Sequence, residues 1–423
     1  MGKNIGFISL RFAGTDGVSL ETSKWASVLQ EEGHECFYLA GEVDTPPERS
    51  MADPLLHFQS PIIKDLNKRI FGRSLRTKET TEVIYELKKA IKQKIYDFVN
   101  KFDIDLIIPE NALTIPLNIP LGIAITDFIA ETTIPTIAHH HDFFWERKRF
   151  LRNAVWDYLN SCFPPSFPSM FHVVINSSGQ HQLGLRTGLA GILIPNVMDF
   201  ENPPDPPDEY ISDLKKNIGL EEDELLFLQP TRIVQRKGIE HAIELVARMK
   251  RKAALVVSHA SGDEGYAYYD RVRDYIKLMG VKAIFADDII TDKKRFIRED
   301  GRKVYTLEDI YNCCDLVTYP SVFEGFGNAF LEAIYYKKPI FVNNYSIYYY
   351  DIRPKGFRAL EMEDFVSDET IANVERVITN KEVRDRMVFK NYQLGLKYYS
   401  YALVRTRLRH IMTAIWGHTT GGV

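Results

Sequence analysis

The residues with the clearest chemical potential lie between positions 315 and 338, where two acids flank a loop that contains glycines. An apolar run ends at Pro320, and Glu324, Gly325 and Gly327 follow before a segment with helical spacing begins. Proline cannot continue a central strand, so the strand should end there. Glycines allow a backbone to approach a ligand, and the free N–H groups of a helix start favour an anion such as a diphosphate. Acids at a helix start are also ordinary dipole partners, which leaves a purely structural interpretation open.

The spacing of these residues resembles a known enzyme signature. The segment reads E-G-F-G-N-A-F-L-E-A, with Glu324 and Glu332 eight positions apart, after a strand and P-S. This pattern resembles that of the retaining glycosyltransferases of family 4, also described as glycosyl transferases group 1. The resemblance implies an α/β protein of the GT-B fold, in which two doubly wound Rossmann-like domains face each other across a cleft.

The same resemblance implies roles for individual residues. Glu324 would act as a catalytic group that holds the donor sugar, and Glu332 would bind the ribose hydroxyls. The loop and helix start would contact the donor through Gly325, Phe326, Gly327 and Asn328.

A pair of cations follows the predicted strand 225–230. Arg232 and Lys237 flank a strand-to-helix turn, where two positive charges and backbone N–H groups would stabilise a departing diphosphate. Their R-x4-K-G arrangement resembles the donor-diphosphate pair of the family, so both are catalytic and donor-binding candidates. Two ordinary surface charges are the alternative.

Three consecutive histidines follow the predicted strand 134–138. His139, His140 and His141 precede Asp142 and several aromatic residues, a composition that suggests a metal site. Neighbouring side chains on a strand point to opposite faces, so at most two of the three can converge, and no H-E-x-x-H helix or cysteine set completes a site. The sequence therefore predicts no metal requirement. The family resemblance instead implies a catalytic histidine that contacts the transferred sugar, with His141 preferred over His140; a structural histidine remains the alternative.

The first loop, R-F-A-G-T-D-G-V, contains small residues but no G-x-G-x-x-G fingerprint. In the resembling family the corresponding loop reaches over the donor phosphates and the acceptor. Gly14 and Gly17 are therefore expected to contact the donor, Asp16 the acceptor, and Thr15 the same region. A plain β–α turn is the other interpretation.

Polar residues also end the predicted strand 105–109. Because α/β sheets bind ligands at the carboxyl ends of their strands, Glu110 and Asn111 are candidate acceptor contacts. His140 and Asp142 join them as acceptor candidates at the end of the next strand.

The elements that must position these residues follow an α/β order. Strand, glycine turn and helix open the chain, and the proline-rich stretch 201–208 reads as a stiff connection. We expect an acceptor-side Rossmann-like domain at 1–198, a nucleotide-sugar-binding domain at 199–389, and a helix at 390–423 that crosses back to the first domain.

Composition sets outer limits on function. The 423 residues carry a net charge of −4, which gives no reason to expect nucleic acid as a partner. No apolar run reaches membrane-spanning length, and the N-terminus reads as a strand rather than a signal peptide. With four cysteines and no CxxC pair, we expect a reduced, cytoplasmic protein.

One region departs from this near-neutral balance. Between residues 64 and 101 lies a run of bases: Lys68, Arg69, Arg73, Arg76, Lys88, Lys89, Lys92 and Lys94. Such a run is typical of a solvated helix face, and peripheral contact with an anionic membrane or acceptor is the alternative.

The predicted function is retaining transfer of a hexosyl group from a UDP-, GDP- or ADP-sugar to a hydroxyl acceptor. The acceptor would be a small polar glycoside, a glycan or a lipid-linked sugar, and no covalent cofactor is expected. Alternatives on the same fold are a sugar-nucleotide epimerase or hydrolase, and a catalytically silent nucleotide-sugar-binding protein. The aromatic stretch 343–350 stands where the family often has glycines, in a loop that the resemblance places beside the sugar pocket. That stretch and H-H-H-D-F-F-W also resemble enzymes that make small glycosides such as mannosylglucosylglycerate.

Overall fold

The computed structural model describes residues 2–14, 16–259, 266–291 and 294–417, so Thr15 lies outside the described residues. The chain forms two compact units. Unit 1 consists of residues 1–196 and 401–423, and unit 2 of residues 197–400. Each unit is built on its own parallel sheet.

The sheet of unit 1 has seven strands in the order β3-β2-β1-β4-β5-β6-β7, all paired in parallel. They are β1 (Asn4–Ile8), β2 (Glu35–Ala40), β3 (Ser50–Ala52), β4 (Leu106–Pro109), β5 (Thr136–His140), β6 (Met170–Val174) and β7 (Gly191–Leu193). Every residue of β4 and β5 is buried, as expected for central strands that are covered on both faces.

Helices connect these strands. They are α1 (Gly17–Glu31), α2 (Pro61–Ile70), α3 (Lys78–Phe102), α4 (Ile119–Thr132), α5 (Lys148–Leu151), α6 (Trp156–Cys162) and α7 (Ser177–Thr187). Helix α3 carries one apolar stripe that packs on the sheet, whereas α4 is buried around most of its circumference.

The main sheet of unit 2 has six parallel strands in the order β10-β9-β8-β14-β15-β16. They are β8 (Leu225–Gln229), β9 (Ala253–Val257), β10 (Ala283–Phe285), β14 (Leu316–Tyr319), β15 (Ile340–Asn343) and β16 (Leu360–Met362). A small second sheet lies within the segment expected to be irregular, and contains β11 (Ile290–Thr291), β12 (Phe296–Ile297) and β13 (Lys303–Thr306).

The helices of unit 2 are α8 (Leu214–Asn217), α9 (Ile239–Arg248), α10 (Ala267–Met279), α11 (Leu307–Cys313), α12 (Asn328–Tyr335), α13 (Asp368–Thr379) and α14 (Lys381–Tyr398). Helix α9 buries Ile239, Ala242, Ile243 and Val246 against the sheet, the face that its apolar spacing predicts.

The chain order reverses once in the middle of each main sheet. In unit 1 the reversal separates β1 from β4, and in unit 2 it separates β8 from β14. Loops that follow the two strands at such a point diverge and leave a crevice, which is where open α/β sheets bind ligands. Each unit therefore has one preferred location for a site.

The terminal helical segment differs from its expectation. Instead of one helix from 390, α14 ends at Tyr398 and α15 (Tyr401–Trp416) begins after a break. The break has a local cause, because the carbonyl of Tyr399 accepts a hydrogen bond from the N–H of Met198 at 2.9 Å. That carbonyl is thereby used outside a continuous helix ladder.

Helix α15 belongs to unit 1 and packs on α1. Arg405 lies 2.5 Å from a carboxylate oxygen of Glu31, and Arg409 donates to Glu32 at 2.8 Å. Helix α15 is thus part of the same unit as the first strand and helix.

The basic run lies mainly on α2 and α3, where several bases have intramolecular partners. Ion pairs join Arg69 to Asp65, Arg76 to Asp157, Lys88 to Asp127, Lys92 to Glu131 and Lys94 to Asp53. These pairs favour a helix face over a patch for an external anion, and membrane contact stays a prediction. Among the described residues, none of the helices has the length and apolar character of a membrane span.

Candidate active site

The site of unit 2 lies where the loops after β8 and β14 meet at the reversal of chain order. Gly238 has φ +60°, and a side chain there would place its Cβ 2.5 Å from the carbonyl oxygen of Pro320. Only glycine permits this approach without strain. The short turn before α9 therefore lies directly against the loop that carries Glu324.

Glu324 is held by two cations at this junction. One carboxylate oxygen lies 2.5 Å from Nζ of Lys237, and the other accepts from Nη1 of Arg236 at 2.9 Å. Glu324 and Lys237 are buried, at 7% and 9% exposure, so water screens their interaction weakly. The ring of Tyr319 packs 5.0 Å from the same ammonium group.

This environment keeps Glu324 ionised. Burial alone would raise the pKa of its carboxyl group, but the charges of Lys237 and Arg236 outweigh burial and lower that pKa below its usual value. A carboxylate with its charge balanced in this way stabilises neighbouring positive charge rather than taking up a proton.

The start of α12 lies next to Glu324. Gly327 caps this helix with φ +112°, and a Cβ there would lie 2.5 Å from the hydroxyl oxygen of Tyr345. That hydroxyl donates to the carbonyl of Phe326 at 3.1 Å. Tyr345 therefore supports the glycine loop through this hydrogen bond, and its side chain is buried, with 2% exposure. The sequence placed the loop 343–350 beside the sugar pocket, but its first tyrosine is a buried support.

The other predicted donor residues of unit 2 occupy different environments. Glu332 lies one turn inside α12, and the hydroxyl of Tyr311 donates to its carboxylate at 2.7 Å. Arg232 is exposed, and among the described residues no hydrogen bond or ion pair holds its guanidinium group. Lys237 and Arg236 form the pair that holds Glu324, and binding of the donor diphosphate by Arg232 and Lys237 stays a prediction.

The site of unit 1 is built on the ends of β4 and β5. Glu110 is fully buried, and its Oε2 lies 3.1 Å from Nε2 of His141 and 2.9 Å from Nδ1 of His139. The two histidines are two residues apart, so they project from the same face. Trp25 of α1 stacks on His139 at 4.1 Å. The three side chains offer metal-ligand atoms within 4.8 Å of one another, and the predicted absence of a metal stays a prediction.

Two acceptor candidates are buried. Glu110 has 0% exposure and lies against both histidines, and its contact with an acceptor stays a prediction. His140 is 1% exposed and points away from the cluster, with Nε2 2.9 Å from Nδ1 of His172. Burial lowers the pKa of His172 to about 4, and burial also holds the pKa of His140 well below its usual value.

The remaining candidates shape the loop ends. The side-chain oxygen of Asn111 accepts from the backbone N–H groups of His141 and Asp142, at 3.1 and 3.2 Å. Asp142 in turn accepts from Arg147 at 2.7 Å. Asn111 thus fixes the backbone conformation at His141.

The first loop has a helix cap at its centre. Asp16 caps α1 by accepting from the N–H groups of Val18 and Ser19, and it also pairs with Arg11 at 3.1 Å. Gly14 has φ +74° with open space around its Cβ position, and Gly17 is the first residue of α1. Asp16 is therefore engaged in local structure, while Gly14 leaves room for a ligand.

Several residues of these sites were missed from sequence. Arg236 stands beside Lys237 in the same Q-R-K-G turn and was visible as a cation, but its role depends on the turn geometry. His139 was visible too, yet only the pairing of β4 with β5 brings it to Glu110.

Comparisons with known proteins bear on both units. The family described as "Glycosyl transferases group 1" matches residues 290–393. Mannosylglucosylglycerate synthase of Petrotoga mobilis is 32% identical over 385 residues, which cover 85% of this chain and 86% of that protein. The chain belongs to the glycosyl transferases group 1 family. It is therefore a glycosyltransferase.

Two further similarities extend over nearly the whole length of this group 1 glycosyltransferase. Mannosylglucosylglycerate synthase of Thermotoga maritima is 29% identical over 430 residues, covering 94% of this chain and 96% of that protein. HepE of Anabaena, crystallised with UDP and glucose, superposes with a TM-score of 0.65 at 14% identity, covering 97% of this chain and 100% of that one. The predicted GT-B fold, with two Rossmann-like α/β units, is confirmed.

Proposed function

We propose that this enzyme transfers a mannosyl group from a nucleotide-diphosphate sugar to glucosylglycerate, with retention of anomeric configuration. The observation that carries the proposal is the 32% identity to a mannosylglucosylglycerate synthase over most of both chains. A transferase that makes such a product needs a mannosyl donor and a small glycoside with a free hydroxyl. This is the small polar class among the acceptors that the sequence left open.

The diphosphate would leave from the junction of the loops after β8 and β14. Lys237 and Arg236 supply two cations there, exposed Arg232 supplies a third, and the N-terminal end of α12 faces the same loop. Negative charge develops on the diphosphate as the glycosidic bond opens, and preorganised cations in a dry site stabilise it. This set of charges makes a divalent metal unnecessary in the proposed mechanism.

Glu324 would stabilise the positive charge that develops on the donor sugar. Its carboxylate is ionised and balanced by Lys237 and Arg236, so it is a poor covalent nucleophile. We therefore favour front-face displacement, in which the departing phosphate helps to deprotonate the acceptor hydroxyl. Glu332, oriented by Tyr311, would bind the ribose, and His141 of unit 1 would contact the transferred sugar.

The nucleotide base is best settled by experiment. HepE binds UDP and is similar in fold, while the relatives' names specify only the product. A thermal-shift screen of UDP-, GDP- and ADP-sugars will show which donor stabilises the enzyme, because a ligand raises the unfolding temperature by mass action.

The decisive test incubates each donor that binds with glucosylglycerate and follows the product by NMR. We expect a mannosylated product with retained configuration, formed at an unchanged rate in the presence of a chelator. Rapid donor turnover without acceptor would instead support the epimerase or hydrolase. Tight donor binding with no turnover across acceptors would support a silent binding protein.

A further inference from the structure

The cluster around Glu110 contains an asymmetry that its sequence does not show. Both His139 and His141 approach Oε2 of Glu110, at 2.9 and 3.1 Å. Nε2 of His141 has the alignment of a hydrogen bond to this oxygen, whereas Nδ1 of His139 approaches it without that alignment. Glu110 therefore holds His141 through an aligned hydrogen bond.

The exposed edge of the cluster belongs to the same histidine. Glu110 and His139 have no exposed side-chain surface, while His141 keeps 8% of its side chain accessible. Its backbone N–H is held by Asn111 at 3.1 Å. With the backbone and Nε2 both engaged, Nδ1 is the one ring nitrogen of His141 left for a ligand.

We propose that Glu110 is a positioning residue for His141, holding its Nε2–H edge so that Nδ1 faces the bound ligand. This rests on the proposed function only in taking that ligand to be the donor sugar. The 3.1 Å separation between Oε2 and Nε2 fits a hydrogen bond in which the Nε2–H of His141 donates to the carboxylate.

The charge of His141 follows from the same contact. Burial would lower the pKa of His141, but the hydrogen bond and charge of Glu110 outweigh burial and raise that pKa above its usual value of 6.5. Glu21 of α1 and Asp142 add smaller contributions in the same direction, and His139 faces the ring from β5. In the charged ring Nδ1 carries a proton and donates it in a hydrogen bond to a sugar oxygen.

The first test is function-independent and uses NMR of the full chain labelled with ¹⁵N-histidine. The signals of His141 are assigned by their loss in His141→Asn. We expect Nε2 to be protonated throughout the titration, and Glu110→Gln to lower the pKa of His141. The matched control is Glu21→Gln, which removes another buried carboxylate that pairs with Lys24 and contributes less to the pKa of His141, and it should leave the tautomer unchanged with a smaller shift.

The second test is the pH profile of sugar transfer. Because Glu110→Gln discharges His141 at lower pH, the variant should lose at least about tenfold in rate from about pH 6 to about pH 8, where the wild type loses less. A merely structural role would lower the rate equally at every pH, and that result would overturn the proposal.

Three other outcomes would also overturn it. They are a neutral His141 protonated at Nδ1, an unchanged titration in Glu110→Gln, and a stoichiometric metal that elemental analysis finds in the wild type but not in Glu110→Gln. If the wild type transfers no sugar from any donor, the proposed function fails, while the NMR result still decides the role of Glu110.

Discussion

Two buried carboxylates stand at equivalent places in the two sheets of this protein. Glu324 follows the strand β14 and Glu110 follows the strand β4, each beside the reversal of strand order in its own unit. Glu324 is balanced by a lysine and an arginine, whereas Glu110 lies against two histidines, of which only His141 has a raised pKa.

The two clusters differ in how their charge responds to pH. Arginine stays charged across the physiological range, and the charge of Glu324 opposes the lowering of the Lys237 pKa by burial, whereas a histidine gains and loses its proton within that range. The unit 2 cluster thus has a constant charge that suits a diphosphate, which is itself always charged. The unit 1 cluster can change its charge, which suits hydrogen bonding to a neutral sugar.

The largest effect on the transfer rate should come from removing a charge from the cluster of Glu324, Lys237 and Arg236. Replacing Glu324 by Gln, or Lys237 by Ala, should lower the transfer rate at least about 100-fold, since each removes an electrostatic partner of the transition state. The measurement is the steady-state rate with saturating donor, made on protein shown to be folded by circular dichroism.

A matched control for Glu324→Gln exists in the same unit. Glu224 is also buried and lies 2.7 Å from Nζ of Lys282, but it is part of no candidate site. Glu224→Gln should leave the rate within about twofold of wild type. Near-normal transfer by both Glu324→Gln and Lys237→Ala would contradict the role of this cluster.

The glycine turns of the two units should respond unequally to a methyl group. Gly238→Ala combines a left-handed backbone with a 2.5 Å approach to the carbonyl of Pro320, and should cost about 2–3 kcal/mol of stability. Gly14→Ala meets nothing within 4 Å and should cost only about 1 kcal/mol through its positive φ. Chemical denaturation of the two variants measures both values, and equal losses would show that the Pro320 contact is not tight.

His141 and Glu324 should also give opposite pH dependences of stability. The raised pKa of His141 contributes stability that is complete below 6.5 and is lost as the pH rises through the folded value. The lowered pKa of Glu324 contributes stability that is present above 4.5 and is lost as the pH falls through the folded value. The pKa of Glu110 is lowered as well, so calorimetry should show the deficit of Glu110→Gln shrinking both above pH 6.5 and below pH 4.5, and that of Glu324→Gln shrinking only below pH 4.5. Parallel curves of stability against pH for the two variants would show that the two clusters do not differ in this way.

The smallest effect should come from removing the hydrogen bond between Tyr345 and the glycine loop. Tyr345→Phe removes the hydroxyl that donates to Phe326, and should cost about 1 kcal/mol of stability and slow transfer several-fold. Tyr348→Phe is the control, because its hydroxyl donates to Glu361 instead. It should lose similar stability and keep its rate, so an equal rate loss in both variants would show a general packing effect.

Local sequence patterns predict much of the architecture because the strands are short, apolar and separated by polar loop residues. The predicted strands 225–230 and 105–109 agree with β8 and β4 to within one residue at each end, and Glu324 and Lys237 lie together as their shared loop-end positions suggest. Such residues need only the α/β order of the chain to be brought together.

What could not be predicted depends on geometry between distant segments. Arg236, rather than Arg232, reaches Glu324 because a 3₁₀ turn at Gln235–Lys237 directs it there. The burial of Glu110 under two histidines depends on how β4 lies beside β5, which no local spacing encodes. The tyrosines of 343–350 were placed at a pocket, yet whether an aromatic residue lines a cavity or fills a core depends on packing.

The hydrogen bond between Met198 and Tyr399 joins the first and last segments of unit 2. Unit 2 is therefore an inserted domain whose chain enters and leaves at one place, and unit 1 is a single domain interrupted at 196 and resumed at 401. Domain insertions with adjacent ends can be cut out and closed with short linkers. Each unit could thus be produced by itself, and its ligand binding studied in a separate molecule.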